Sequence, residues 1–533
     1  MLRREEGQIT VFVALLFFVL MGVSLCVLEG MYSFSESALA ESAIKGAGNY
    51  VLANYNRSLF DRYHLFFLDP REREQVEQDG KAYLSASFGD NSFFQPSCSR
   101  LEVTEERTAV DEDGLYLRHQ IREWMKYREV AKAGETLKEL FASVADIRKG
   151  DDLAKADMSK AENAIAKEKE KSEAKNTETA GEGREKDSSG GGGADDEKEP
   201  GGDTEAREKA AGDTGIRWKE ILELLSNITR SGILVYVTDD IGAVSQLSVS
   251  VEGLPSGSAA SEKDAADFFS GALSFLNVDE WKKILSDIQA EEGDSRVLSD
   301  EFYLLEYIEE NFGSYVRKSE EESALLYETE YLIAGKDSDR ANLKAVADRV
   351  LGFRFLANYA YLSQDGEWKT ASGSAAAVLT GILGFPQARK AVQVLLTAAV
   401  SFGESMLDVH ALFSGEEVPV IKDDSTWNLT LENAAVLLKN RGPVKQGRWN
   451  AGYEDYLKLF LASRLARNRL LFRMMDIMQL NVALEQPDFR MEDCLFAFRW
   501  EADFSCGGWL TFFPGIGQHG GGFTMELERL NSY

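Results

Sequence analysis

From Ile9 to Leu28 the chain reads ITVFVALLFFVLMGVSLCVL, without a single charged side chain. About 20 residues at 1.5 Å per residue span roughly 30 Å, the thickness of a bilayer's hydrocarbon core. Thr10, Gly22 and Ser24 fit such a helix, because small polar side chains bond back to the backbone or let a neighbouring helix approach. A cleaved signal peptide has a shorter apolar region, about 7–15 residues, closed by small residues. Here Glu29 closes the run, and the first Ala-x-Ala, Ala38-Leu39-Ala40, lies well downstream. The pattern is that of a retained transmembrane anchor over residues 1–30. Arg3 and Arg4 precede the run, whereas Glu29, Glu36 and Glu41 follow it before Lys45. The positive-inside rule therefore places the N-terminus in the cytoplasm and the bulk of the chain outside, in a single pass of the cell membrane.

The helix is expected to continue past the membrane as a stem. Tyr32, Leu39, Ala43, Gly46, Tyr50 and Ala53 recur at intervals of three, four and seven, one face of a helix. Ala38, Ala40, Ala47 and Gly48 lie nearby and suit close packing. That face is expected either to tuck under the next domain or to support self-association with another stem.

At about 150 residues per domain, 533 residues are too many for one compact unit. Within a first extracytoplasmic segment, 31–149, Leu101 to Val110 reads as a strand and Leu115 to Val144 as a long helix. From 150 to 215 the composition collapses to Ala, Glu, Lys, Asp, Ser and Gly, with 11 basic and 19 acidic residues. Such a segment buries too little to offset its ordering entropy and reads as a disordered acidic linker, with transient helix near Ala161–Ala174. In 216–533, Trp218 to Ile228 suggests a helix and Gly232 to Val237 a short buried strand. Helical patterns then dominate, best from Leu343 to Ala360, and again near Ala388–Phe413 and Tyr453–Gln479. Cys494–Phe504, Trp509–Phe513 and Gly522–Arg529 read as strands. The fold class is α+β and mostly helical: a transmembrane helix continuing into a stem, then a helical domain with a small antiparallel sheet that packs with 31–149.

Asp and Glu number 89 against 59 Lys and Arg, a formal charge of −30. A surface that acidic repels phosphate backbones, so no nucleic-acid partner is expected. There is no G-x-S-x-G, H-E-x-x-H or C-x-x-C, and Gly335-Lys336 lacks the glycine spacing of a phosphate loop. His64, His119, His410 and His519 are isolated, and no two cysteines have zinc-ligand spacing. Neither a catalytic residue nor a cofactor or metal is assigned. Among Cys98, Cys494 and Cys506 one bridge from Cys98 to a C-terminal cysteine is workable in an oxidising compartment, and reduced thiols are equally so.

Three stretches carry a resemblance: GQITVF (Gly7–Phe12) running on to Glu29-Gly30, EYLIAGKDSDRANL (Glu330–Leu343), and YEDYLKLFL with RMMDIMQLN (Tyr453–Leu461, Arg473–Asn481). Met125–Arg128 and Glu404–Val409 add to it. Together they resemble a family of uncharacterised membrane proteins of Gram-positive anaerobes. Its members are encoded among components of tight-adherence (Tad, or Flp) pilus systems and are similar to TadE/TadG-type minor pseudopilins. A type IV prepilin carries a Glu five residues after its cleavage-site Gly, whereas here Phe12 stands at that offset from Gly7. The resemblance thus implies a permanently anchored, non-enzymatic component of a pilus or secretion apparatus, with other subunits as partners.

Within the second stretch Gly335 can end one helix in a left-handed cap, and Asp337 or Ser338 can cap the next. Tyr331, Lys336 and Asp339 are the residues there that a partner-binding surface would use. The alternatives are an anchored surface enzyme acting on wall polymers through acidic residues, and an adhesion ectodomain.

Overall fold

The computed structural model describes residues 5–69, 73–88, 96–128, 139–167 (except 141, 145, 146, 148, 149 and 165), 232–258, 300–383, 386–430, 432–464, 469–508 and 523–533. The helix suggested for Trp218–Ile228 and the strand for Trp509–Phe513 lie outside them. The chain divides into two units, one formed by Met1–Trp124 with Met478–Tyr533 and the other by Met125–Ile477. Its first and last segments therefore share a unit.

In the first unit helix α1 runs unbroken over Glu5–Leu52. From Ile9 to Leu28 its large apolar side chains stand exposed, Phe17 at 63% and Val19 at 62%. From Tyr32 onward one face is buried. Helices α2 (Arg57–Tyr63) and α3 (Arg73–Ser87) follow, then strand β1 (Ser97–Thr108) and helix α4 (Leu115–Met125). Asn56 caps α2 by accepting from the Leu59 amide at 2.9 Å. The expected helix from Leu115 is described to Met125, and Tyr127 beyond it is 88% exposed.

Strands β2 (Leu495–Cys506) and β3 (Phe523–Ser532) complete a three-stranded antiparallel sheet in the order β1-β2-β3. Period-two alternation sets its faces. Phe498, Trp500, Ala502, Phe504 and Cys506 turn into the core, with Ala40, Ile44, Ala47 and Val51 of α1 and Val76 and Leu84 of α3. Arg499, Glu501 and Asp503 turn outward. There Arg100 meets Asp503 at 2.9 Å and Arg499 meets Glu105 at 2.9 Å. Where α3 crosses β2 only a glycine fits, since a Cβ on Gly80 would lie 2.8 Å from Trp500 and Leu101.

The second unit is helical. Its helices are α5 (Asp300–Asn311), α6 (Glu328–Ala334), α7 (Asp339–Leu362), α8 (Gly366–Leu383), α9 (Arg389–Phe413) and α10 (Tyr453–Ala462). Helix α11 (Arg469–Ala483) carries the chain across the division between the units. The predicted helix over Tyr453–Gln479 is thus two helices. The predicted strand at Gly232–Val237 is a short helix, Ile233–Val237, with Ile233, Leu234, Tyr236 and Val237 buried. An apolar run that short does not distinguish the two.

Of the expected linker, 150–215, residues beyond 167 lie outside the described ones, and its first part is folded. Backbone is helical over 151–164, and Asp151, Ala154 and Ala161 are buried. Gly150 lies so close to α7 that a Cβ there would stand 2.6 Å from the Leu356 carbonyl oxygen. Ala154 and Ala161, seven residues apart, give this charged stretch a narrow apolar stripe, which composition averaged over the window conceals.

Candidate functional site

The stem comes first, because its packing decides whether its small-residue face is open to a partner. Tyr32 and Ala43 are buried, Leu39 is half-buried, and Gly46 lies against the Tyr83 side chain. Tyr50 is 47% exposed, its ring 5.4 Å from that of Tyr83, and Ala53 is exposed. The face that is covered runs through Tyr32, Glu36, Ala40, Ile44, Ala47 and Val51, about one residue around the helix from the predicted one. What covers it is the sheet and α3 of the same unit. A Cβ on Gly48 would run into the Asn531 side chain of β3. The small residues therefore serve close approach within the unit, and the opposite side, with Phe34 76% exposed, faces outward.

Toward the N-terminal end of that face Glu36 is fully buried. It shares hydrogen bonds with the Tyr32 phenol and the Cys506 thiol, and burial followed by the Glu36 charge pushes that thiol up to about 11. All four cysteines are free.

The three residues proposed for partner binding lie on α6, on α7 and between them. Gly335 ends α6 in the left-handed region (φ 64°), as its position predicts, and Ser338 is the N-cap of α7 without a side-chain capping bond. Tyr331 is 1% exposed and its hydroxyl donates to Asp476 Oδ2 at 2.7 Å. Asp339 is fully buried. It accepts from Ser245 Oγ at 2.5 Å and from the amides of Leu326 and Tyr327 at 3.0 and 3.1 Å. Lys336 alone of the three is exposed, and its backbone pairs with the Asn342 side chain. Tyr331 and Asp339 thus brace the interior, which leaves Lys336 as the member a partner can reach.

Asp339 belongs to a set of buried carboxylates that hold backbone in place. Glu328 accepts from the Gly313 amide at 2.7 Å, and Glu330 from the Tyr315 amide at 2.9 Å and the Tyr453 hydroxyl at 2.8 Å. Glu454 accepts from Ser314 Oγ, and Asp476 from the Ser256 amide at 2.9 Å. Each carboxylate offers more acceptor sites than an amide oxygen, so one side chain pins a stretch of chain that lacks regular structure. Glu330 Oε2 has no hydrogen-bond partner among the described residues, and burial pushes this carboxyl up to about 7.

A second cluster lies between α7 and α9, where Arg354, Glu404, Asp408 and Lys422 are all fully buried. Arg354 donates through Nε and Nη2 to Asp408 Oδ2 at 3.0 and 2.8 Å, and through Nη1 to the carbonyls of Pro419 and Val420. Lys422 lies 2.6 Å from Asp408 Oδ1 and bonds Glu404, which also accepts from the amides of Asn428 and Leu429. Burial pushes the Asp408 carboxyl up, but Arg354 and Lys422 outweigh it and hold it below its ordinary value. Two cations and two anions cancel, as burial demands.

The first unit carries an open acidic cleft of about 590 Å³, lined among others by Asp69, Glu106, Glu485, Asp488, Glu492 and Asp493. Among the described residues no three His, Cys, Asp or Glu side chains converge as a metal site requires.

Sequence reasoning missed Glu36, Arg354, Lys422 and Asp476. For Arg354, between Phe353 and Phe355, and Asp476, between Met475 and Ile477, the signal is a charge set among apolar neighbours, whereas Glu36, between two serines, and Lys422, beside Asp423, carry none. No curated protein and no solved structure matches the chain. Residues 214–506, more than half of the chain, match the model of a family of unknown function, DUF5702, and the chain belongs to that family.

Proposed function

We propose that this protein is a membrane-anchored, non-enzymatic structural or assembly component of an envelope apparatus of the Tad-like pilus or secretion type. One observation carries the reading: α1 is a single helix of 48 residues whose first part is exposed and apolar and whose second part is the core of a folded unit. An anchor continuous with a core transmits position and force from the membrane to the sheet without a hinge, which suits a scaffold more than a tethered catalyst. The arginines before the apolar run favour a cytoplasmic N-terminus and an extracytoplasmic bulk. Other subunits would dock on the outward side of the stem, around Asn49, Tyr50 and Ala53. Deleting the gene should impair surface-fibre assembly, and photo-crosslinkers at these three positions should capture pilus or secretion subunits. Intact fibres in the deletion strain would sink the proposal.

The acidic cleft of the first unit favours the second reading, a surface enzyme acting on wall polymers. That reading predicts release of soluble fragments from purified wall, lost on changing Glu106 and Glu485 to Gln together.

A further inference from the structure

The strands of the first unit are not charged evenly along their length. Near the middle of the sheet the register aligns Glu102, Glu501 and Glu528 in one row and Arg100, Asp503 and Glu526 in the next. Beyond them the rows change character. Cys98 pairs with Phe504 and Phe504 with Met525, Ser97 with Ser505 and Ser505 with Thr524, and Cys506 with Phe523. Three successive rows are thus free of charge, and all lie at the end where β2 finishes and β3 begins.

That end is the one beside the membrane. The site of a Cβ on Gly507 lies 4.0 Å from the Tyr32 hydroxyl and 3.9 Å from Glu36 Oε1. Tyr32 and Glu36 follow Leu28 by four and eight residues, roughly 6 and 12 Å of helix. The headgroup layer outside the hydrocarbon core is roughly 5–8 Å thick on each side. The helix that enters the bilayer therefore holds the end of β2 at the outer margin of the headgroup layer. At the same level Met31 is 63% exposed and Phe34 76% exposed, apolar side chains that nothing among the described residues covers. Glu29 is the only charged residue between Ile9 and Ser35. One carboxylate close to the phosphates is readily solvated there. Two of the three rows face the core, and the outward row, Ser97, Ser505 and Thr524, carries no charge, whereas the outward rows above it are laddered with ion pairs.

We propose that the strand-end rim of this unit, formed by Ser505, Gly507 and Phe523 with Met31 and Phe34 of α1, rests on the headgroup layer of the bilayer that α1 spans. The occupant of this surface is lipid, because the surface is continuous with the membrane-spanning helix. The rim fixes the depth of α1 and sets the sheet upright on the membrane. The inference depends on α1 being the anchor.

The test is depth-dependent fluorescence quenching of the full chain in phosphatidylcholine/phosphatidylglycerol nanodiscs. Cys26→Ala and Cys98→Ala remove the accessible thiols, and an environment-sensitive dye is placed singly through Phe17→Cys, Phe34→Cys, Ser97→Cys, Thr524→Cys or Ser532→Cys. Nitroxides on the lipid headgroup should quench the dyes at 34 and 524 at least threefold more than the dye at 532, which lies roughly 26 Å along the strands from 524. The dye at 97, on a different strand, should follow 524 and guards against one variant misfolding. Nitroxide at mid-chain should quench only the dye at 17. If 17 is quenched while 34, 97 and 524 behave like 532, the rim does not touch lipid and the inference is overturned, the anchor surviving. If 17 is not quenched, the anchor fails and the rim with it.

Discussion

Arg354 on α7 and Asp408 on α9 meet through two nitrogens at 3.0 and 2.8 Å with neither side chain exposed to solvent. Each is separately costly to bury, so neither charge is tolerated between the two helices without the other. Replacing Asp408 by Ala leaves the guanidinium with carbonyls and the Tyr456 hydroxyl alone, and is expected to cost about 3–5 kcal/mol in denaturant unfolding. Arg354→Met combined with Asp408→Leu removes both charges and leaves Lys422 paired with Glu404. It should cost less than Asp408→Ala by itself. A double variant whose loss equals the sum of the two single losses would show that the charges are not coupled.

Glu330 makes stability depend on pH in the direction opposite to an ordinary ion pair. In the fold it keeps its proton up to about pH 7, against an ordinary 4.5. Between those values the folded state binds more protons than the unfolded one, so stability falls as pH rises from about 4.5 to about 7. Glu330→Gln removes that slope. At pH 8 the variant should be roughly 2–3 kcal/mol more stable than the native chain, and at pH 4.5 no more stable. Unfolding midpoints at the two pH values decide it, and a variant equally destabilised at both would place the ionised form in the native fold.

The stem gives a test of helix rotation. Ala47 is fully buried between α1 and the sheet, so Ala47→Leu should cost about 1–3 kcal/mol through overpacking. Ala53→Ser and Glu41→Gln lie outside that face and should stay within about 0.5 kcal/mol. The reverse ranking would restore the face through Leu39, Gly46 and Ala53.

This ambiguity of one residue shows what was legible in the sequence and what was not. The apolar run to Leu28, the strands near Leu101 and Cys494, the helix from Leu343 and the Gly335 cap could all be read from local chemistry, because each rests on a period or a turn residue. On the stem, Ala40, Ala43, Ile44 and Ala47 spread small apolar residues over two adjacent faces. Only α3 and the sheet, two of whose strands lie more than 400 residues away in the chain, select between them. The buried carboxylates were illegible for the same reason. Nothing near Glu330 or Asp476 announces that an amide from Tyr315 or Ser256 will reach it.

Thiol reactivity follows burial. Cys494 is fully buried and Cys506 nearly so, and burial raises both thiols. A soluble maleimide at neutral pH should leave both unmodified in the native chain and modify both once it is unfolded. Rapid native labelling of Cys494 would mean that the β2 entry is open.

The stretch from Tyr331 to Asp339 separates brace from docking surface, and its three residues answer differently. Asp339→Ala strips an acceptor from a hydroxyl and two amides, and unsatisfied buried donors cost about 1–3 kcal/mol each. The loss should therefore exceed about 3 kcal/mol. Tyr331→Phe removes one hydrogen bond to a buried carboxylate and should cost about 1.5–3 kcal/mol. Lys336→Ala changes an exposed side chain and should leave stability within about 0.5 kcal/mol. If the stretch is only a brace, Lys336→Ala also leaves fibre assembly untouched. If it binds a subunit, that variant loses assembly while keeping its unfolding midpoint, a separation that neither Tyr331→Phe nor Asp339→Ala can give.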